Sequence, residues 1–197
     1  DIRGAGNLVG EEQSGHIREV GIELYQHMLE EAIAALKAEK EGETFVSAEW
    51  TPQISVGLSV LIPETYVADL GLRLSLYKRL SGLSTREEID QFAIELVDRF
   101  GSLPEEVKNL LEVIYLKSLS RQANIEKIES GPKGVLVSFH QNIFKNPALL
   151  IEHITHQKGT AKIRPDQKIV YMRSLETAAA RLTGTRKILE ELVSLAQ

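Results

Sequence analysis

The clearest helical signal lies in residues 84–104, which read STREEIDQFAIELVDRFGSLP. Ser84–Glu87 and Thr85–Glu88 both have the spacing of a capping box, in which side chains satisfy free amides at the start of a helix. An apolar stripe at helical spacing follows this signal, and it consists of Ile89, Phe92, Leu96 and Phe100. Gly101 is placed to end the helix. These features predict one amphipathic helix from about residue 84 to 100.

Helices and hairpins alternate irregularly on both sides of this helix. Apolar spacing and proline positions predict further helices over about residues 66–80, 104–124, 147–157 and 175–195. Imperfect alternation predicts a strand over residues 53–61, and turn residues predict two β-hairpins, over residues 125–139 and 161–172. Because hairpins rather than regular βαβ units separate the helices, the predicted fold class is α+β, helix-rich with a small antiparallel sheet.

The first 48 residues differ from the rest of the chain, because they contain a predicted loop, one long predicted helix and a linker. Residues 1–20 contain four of the fourteen glycines and are typical of a loop, whereas residues 21–39 have the apolar spacing of a long amphipathic helix. A charged, apolar-poor segment over about residues 37–49 indicates a linker. We therefore predict two parts, residues 1–48 and residues 49–197.

Composition excludes several classes of protein. With 43% hydrophobic and 26% charged residues, the 197-residue chain resembles an ordinary globular protein. It has no cysteine, which excludes disulfides, thiolate zinc sites and a cysteine nucleophile. No apolar run approaches the roughly 18 residues of a membrane helix, so we expect no membrane contact. The chain begins with Asp1 rather than methionine, as expected for a piece of a longer protein.

The net charge of −5 hides an uneven distribution. Residues 1–49 hold four Lys/Arg against eleven Asp/Glu, and residues 131–197 hold ten against five. The overall charge argues against a dedicated nucleic-acid binder. The basic C-terminal third is either a solvated surface or a contact for DNA or another acidic partner.

Short motifs in the sequence do not by themselves identify a nucleotide-binding, metal-binding or catalytic site. The glycines of residues 4–10 lack the preceding strand and the spacing of a dinucleotide-binding loop. His153 and His156 lie three residues apart on a predicted helix, which suits two metal ligands, but without a further spaced ligand exposed histidines explain the pattern. Ser14 and His16 lie in an acidic, glycine-rich loop with no sign of the ordered third group that a hydrolase triad needs.

The polar side of the helix over residues 84–100 allows two interpretations. Its polar side chains, Gln91, Glu95, Asp98 and Arg99, lie opposite or beside the apolar stripe. An exposed ion pair contributes only about 0–1 kcal/mol, so an ordinary solvated face explains them. A cluster of mixed sign can also orient a docking partner.

Three stretches of the chain closely resemble the bacterial transcription-repair coupling factors. They are IRGAGNLVGEEQSGHI at residues 2–17, RLSLYKRL at residues 73–80 and ELVDRFGSLP at residues 95–104. The first resembles the TRG segment of that family, which the RecG helicase shares in looser form. The resemblance covers nearly the whole chain and is stronger before Pro104 than after it.

The resemblance implies a large ATP-dependent DNA translocase that displaces stalled RNA polymerase and recruits the repair protein UvrA in the cytoplasm. The ATP and Mg²⁺ sites would lie upstream of Asp1, so no cofactor is expected in this chain. By resemblance, Arg3 and Gln13 of the TRG segment couple ATP hydrolysis to movement along duplex DNA. A guanidinium can exchange phosphate or carboxylate partners between states, which makes such a role physically plausible.

The resemblance also implies a role for residues 49–197 as a regulatory domain. In this family the domain packs against the UvrA-binding module of the same polypeptide and hides it. The residues that correspond to this contact are Glu95, Asp98 and Arg99. They support the docking interpretation of the polar helix face.

Three functional hypotheses follow. The leading one is a non-catalytic, autoinhibitory interaction domain, with no enzymatic activity of its own. The alternative is an accessory DNA-binding module that uses the basic C-terminal third. The third is a small hydrolase, which would require a pocket with polar side chains in catalytic geometry.

Overall fold

The computed structural model describes residues 50–197. The helices are α1 (Leu70–Ser81), α2 (Arg86–Phe100), α3 (Glu105–Gln122), α4 (Pro147–His156) and α5 (Ala178–Ala196). The strands are β1 (Gln53–Ser55), β2 (Ile125–Gly131), β3 (Gly134–Phe139), β4 (Ala161–Ile163) and β5 (Ile169–Met172). A short 3₁₀ turn, His140–Asn142, follows β3. The predicted α+β class is confirmed.

The strands form one five-stranded sheet in the order β1-β2-β3-β5-β4. Both predicted hairpins are present, β2–β3 and β4–β5, and β3 pairs with β5 to join them. The prediction of an antiparallel sheet was wrong in one respect, because β1 pairs with β2 in parallel. Helices α1, α2 and α3 connect these two strands, and parallel neighbours require such a long crossover.

The helices cover one face of the sheet. A row of side chains in register runs across this inner face, and its buried members are Ile54, Ile128, Val137 and Ile169. Helices α3 and α5 pack on β2, where the Thr185 hydroxyl donates a buried hydrogen bond of 2.8 Å to the Ser130 hydroxyl. The opposite face carries side chains such as Lys162 and Met172, which are exposed. The domain therefore has two layers, with its core between sheet and helices.

Helix α2 begins and ends where its sequence predicts. The Thr85 hydroxyl accepts a 3.2 Å hydrogen bond from the Glu88 amide, and the Glu88 carboxylate accepts one of 3.2 Å from the Thr85 amide. The apolar stripe is buried at Ile89, Phe92 and Leu96. At the other end the Gly101 amide donates to the Val97 carbonyl over 2.9 Å. Burial of the stripe leaves the polar side of α2 facing outward.

Three predicted boundaries differ from the structure. The first strand ends at Ser55 rather than near residue 61, because Gly57 adopts a φ of +66° and turns the chain. Helix α1 begins at Leu70 rather than near residue 66, since the Asp69 carboxylate accepts the Leu72 amide as a cap. Helix α5 begins at Ala178 because Thr177 caps it in the same way.

None of the helices in residues 50–197 has the combination of length and apolarity needed to cross a membrane.

Candidate functional site

The three residues that the family resemblance assigns to a contact lie together at the C-terminal end of α2. The spacing of positions 95, 98 and 99 places them as neighbours on a helix surface. Asp98 is exposed, and the side chains of Glu95 and Arg99 retain 35% and 43% of their accessible area. The domain's own interior therefore does not cover these side chains.

Glu95 joins two helices through a bidentate contact with Arg79 of α1. Arg79 Nη1 donates to Glu95 Oε1 over 2.7 Å, and Nη2 donates to Oε2 over 2.6 Å. Paired hydrogen bonds of this kind are stronger and more directional than a single charged contact. The Arg79 guanidinium also lies 4.9 Å from the centre of the Phe92 ring. Arg79 was not among the residues that the sequence singled out.

Arg99 completes this cluster from within α2. Its Nη1 donates to Glu95 Oε1 over 3.1 Å, and its guanidinium lies 5.0 Å from the centre of the Phe100 ring. The two hydrogen bonds from Arg79, followed by the one from Arg99, lower the pKa of Glu95 from its ordinary 4.5 to about 2. The contact with Glu95 correspondingly raises the pKa of Arg79. Glu95 is therefore ionised throughout the physiological pH range.

Asp98 differs from its two neighbours. Within residues 50–197 its carboxylate takes part in no hydrogen bond or ion pair, and the residue is exposed. A solvated carboxylate at the end of a rigid helix can accept a donor from a partner without first losing an internal contact. Of the three residues, Asp98 is the one most available to a docking surface.

Two apolar side chains on the outer side of α2 were not predicted as site residues. Ile94 and Val97 are 55% and 44% exposed. They lie three positions apart, so they are neighbours on the helix surface. The signal that could have found them is their apolar character on a face that is otherwise polar.

A second ion-pair cluster fixes the N-terminal end of α2. Arg86 Nη1 lies 2.8 Å from Glu112 Oε1 of α3, and Arg86 Nε lies 3.3 Å from Asp90 Oδ1. Arg186 of α5 lies 3.5 Å from the other oxygen of Glu112. The Arg86 guanidinium also lies 5.1 Å from the centre of the Tyr115 ring. Helix α2 is thus attached at both ends, to α1 and to α3.

The histidines considered as metal ligands have other surroundings. His153 Nε2 lies 3.2 Å from the Tyr171 hydroxyl and 3.9 Å from a Glu191 oxygen, and burial lowers the pKa of His153. Among the residues that the structure describes, no three His, Cys, Asp or Glu side chains are grouped closely enough to hold a metal ion. Arg3 and Gln13, like Ser14 and His16, lie outside the described residues.

The fold and the site define an α+β domain whose outward helix carries a preorganised charged cluster. A model of the TRCF domain matches residues 56–150. The transcription-repair-coupling factor of Rickettsia conorii is 47% identical over 176 residues, which is 89% of this chain and 15% of that protein. The Escherichia coli protein of the same name is 32% identical over 192 residues, 98% of this chain and 17% of that protein.

One solved structure is similar in fold. It is described as the crystal structure of the C-terminal domain of transcription-repair coupling factor, and it covers 75% of this chain and 94% of its own, with a TM-score of 0.63 and 21% identity. The chain belongs to the transcription-repair coupling factor family, and it corresponds to the C-terminal region of those proteins. It spans about 15% of the length of the curated relatives it matches.

Proposed function

We propose that residues 50–197 form a non-catalytic regulatory domain, which docks reversibly through α2 on the UvrA-binding module of the same, longer coupling factor. In the docked state the domain hides the surface that UvrA recognises. The longer protein would be a cytoplasmic, ATP- and Mg²⁺-dependent translocase on duplex DNA that displaces stalled RNA polymerase. Both cofactors would bind outside this chain.

The observation that carries this proposal is the outward, preorganised end of α2. Arg79 fixes the Glu95 carboxylate with both oxygens engaged, while Asp98 is exposed beside it. Reversible docking requires closed and open states that differ by only a few kcal/mol, so that a competing ligand can shift the population. A small surface with exposed charges suits this requirement, because such charges favour orientation over raw affinity.

A pull-down tests the contact directly. The chain should retain the isolated UvrA-binding module, and the charge reversal E95R/D98R/R99E should abolish retention. A matched variant, E105K/E106K/K108E, makes the same changes of charge on exposed or partly exposed positions of α3 and should retain the module. Equal retention by both variants would contradict the proposal.

We also propose that Arg3 and Gln13 couple ATP turnover to movement in the longer protein. The support is the resemblance of residues 2–17 to the TRG segment. Arg3→Ala should slow translocation along duplex DNA by at least about tenfold while ATP turnover stays within about twofold. Loss of both activities in proportion would remove the coupling role.

A second candidate function is accessory DNA binding by the open face of the sheet. The β4–β5 register places Lys162, Arg164 and Lys168 on this outer face. Arg164 lies 3.1 Å from Asp166, whereas Lys162 is exposed, Lys168 is partly exposed, and neither lysine has an ion pair within residues 50–197. If this function operates, the chain binds a 20-base-pair duplex at micromolar concentration with affinity that falls steeply as salt rises.

The matched variants for this second candidate are K162Q/K168Q and K145Q/K187Q, which remove equal charge at positions that are exposed or, for Lys168, partly exposed. Only the first should lose duplex binding. Absence of binding by the unmodified chain at low salt would exclude this candidate and leave the docking proposal unaffected.

A further inference from the structure

The residues that lead into β1 have contacts on two sides. The Trp50 ring stacks on the His140 ring, with the ring centres 4.4 Å apart and the planes 13° apart. Thr51, the next residue, lines a pocket between the C-terminal halves of α1 and α3. Pro52 restricts Thr51 to extended backbone, in which successive side chains point to opposite sides. The different surroundings of Trp50 and Thr51 agree with that alternation.

The pocket beside Thr51 carries positive charge. Helix α3 contributes Lys117 and Arg121, which lie one helical turn apart, and the end of α1 contributes Leu80 and Ser81. Among the lining residues that the structure describes, Lys117 and Arg121 are basic and none is acidic. The pocket therefore suits an anionic group.

Lys117 is buried to a degree that is rare for lysine. The residue is 8% exposed, whereas Arg121 is exposed. An ammonium group leaves water at a high energetic cost unless an anion accompanies it, so buried lysines are normally paired with one. The carbonyl groups at the end of α1 can accept hydrogen bonds, but they carry only partial charge. A carboxylate from beyond the described residues is the anion that fits.

The pocket is too small for a separate organic ligand. Its cavity volume is about 20 Å³, which is close to the space that one water molecule needs. Pockets that bind small molecules have volumes of roughly 300–1,000 Å³. A single side-chain carboxylate suits the smaller space, so the occupant is best sought in the chain next to Thr51.

The segment directly before Trp50 supplies carboxylates. It contains Glu41, Glu43 and Glu49. Glu49 lies two positions before Thr51, and side chains two positions apart in extended chain point to the same side. Two residues span at most about 7 Å, which a glutamate side chain can bridge. Glu43 lies eight positions before Thr51, so its chain would have to fold back to reach the pocket.

We infer that the carboxylate of Glu49 occupies this pocket as the ion-pair partner of Lys117, with Arg121 at the mouth. Together with the stacking of Trp50 on His140, this contact attaches the end of the predicted linker to α3. Movement of the domain relative to the preceding part of the chain would then begin before Glu49 rather than at β1. The inference does not depend on the proposed function.

The fluorescence of Trp50 tests this attachment, since Trp50 is the single tryptophan of the 197-residue chain. Glu49→Gln removes the charge and keeps the size of the side chain. Because the segment is then released from the pocket, acrylamide quenching of Trp50 should increase at least about twofold, and its emission should shift to longer wavelength. The matched control is Glu43→Gln, the same change six positions earlier, and it should leave both properties as they are in the unmodified chain.

An exchange of charges tests the partner of Glu49. K117E should release Trp50 as Glu49→Gln does, because it places two carboxylates together, and E49K/K117E should restore most of the protection from quenching. Far-ultraviolet circular dichroism establishes which variants are folded. If K117E does not fold, recovery of the folded state in E49K/K117E is the expected result.

Two outcomes would overturn the inference. One is equal quenching in folded Glu49→Gln and Glu43→Gln, and the other is a double variant that is no better protected or no better folded than K117E. Neither outcome bears on the docking of α2, because UvrA and the UvrA-binding module are absent from these measurements.

Discussion

Glu95 is held between two guanidinium groups, those of Arg79 and Arg99. Hydrogen bonds from Arg79 are the main cause of a pKa of about 2 for this carboxyl, against the ordinary 4.5. Because folding favours the ionised form, the carboxylate stabilises the domain above about pH 4.5. That contribution is lost as the pH falls from about 4.5 to about 2.

We predict that a carboxyl-carbon NMR titration of Glu95 in the folded chain has its midpoint near pH 2. Arg79→Gln removes the strongest donor, so the midpoint in that variant should move upward toward 4.5. A midpoint near 4.5 in the unmodified chain would contradict the bidentate contact.

At the scale of elements, the β2–β3 hairpin depends on a glycine. Gly134 has a φ of +151°, and a Cβ added there would lie 2.0 Å from the Tyr171 carbonyl oxygen of β5. Backbone atoms of a neighbouring strand have little room to move away from such an overlap. Gly131, at the other end of the same turn, has nothing within 4 Å of an added Cβ.

We predict that Gly134→Ala lowers the free energy of unfolding by at least about 2 kcal/mol, the scale of a strained and overpacked site. Gly131→Ala should change it by less than about 1 kcal/mol. Urea unfolding followed by circular dichroism measures both. Equal effects would mean that β3 and β5 are not as close at Gly134 as the structure has them.

Elements with local signals were predictable, whereas non-local pairing was not. The turn residues between β2 and β3 and the proline that opens α4 act within a few residues, and both elements lie where their sequences place them. The parallel pairing of β1 with β2 joins Ile54 to Ile128 across three helices. No local pattern specifies such a partner, so the sequence predicted a longer strand over residues 53–61 with no stated partner, and a small antiparallel sheet for the domain.

At the scale of the whole molecule, the candidate site was only partly predictable. Amphipathic spacing predicted that Glu95, Asp98 and Arg99 lie on a polar helix face, and the family resemblance suggested the contact that we propose for them. The partner of Glu95 was not predictable, because Arg79 lies sixteen residues earlier on another helix. Ile94 and Val97 were passed over because apolar residues on a helix are by default assigned to the core.

The two attachments of α2 explain how one helix can serve as a contact surface. Arg79 fixes its C-terminal half to α1, and Arg86 fixes its N-terminal end to α3 through Glu112. A helix held at both ends loses little conformational freedom on docking, which lowers the entropic cost of binding. Under the proposed function, a modest surface would then be sufficient for a closed state with which UvrA can compete.

The central claim, that α2 closes reversibly over the UvrA-binding module, is tested most directly by calorimetric measurement of UvrA binding to the full-length coupling factor. With E95R/D98R/R99E, the closed state loses its contact and UvrA should bind at least about tenfold more tightly than to the unmodified protein. E105K/E106K/K108E, with the same changes of charge on α3, should leave the affinity as it was. Unchanged affinity in the α2 variant, with the domain folded, would contradict the claim.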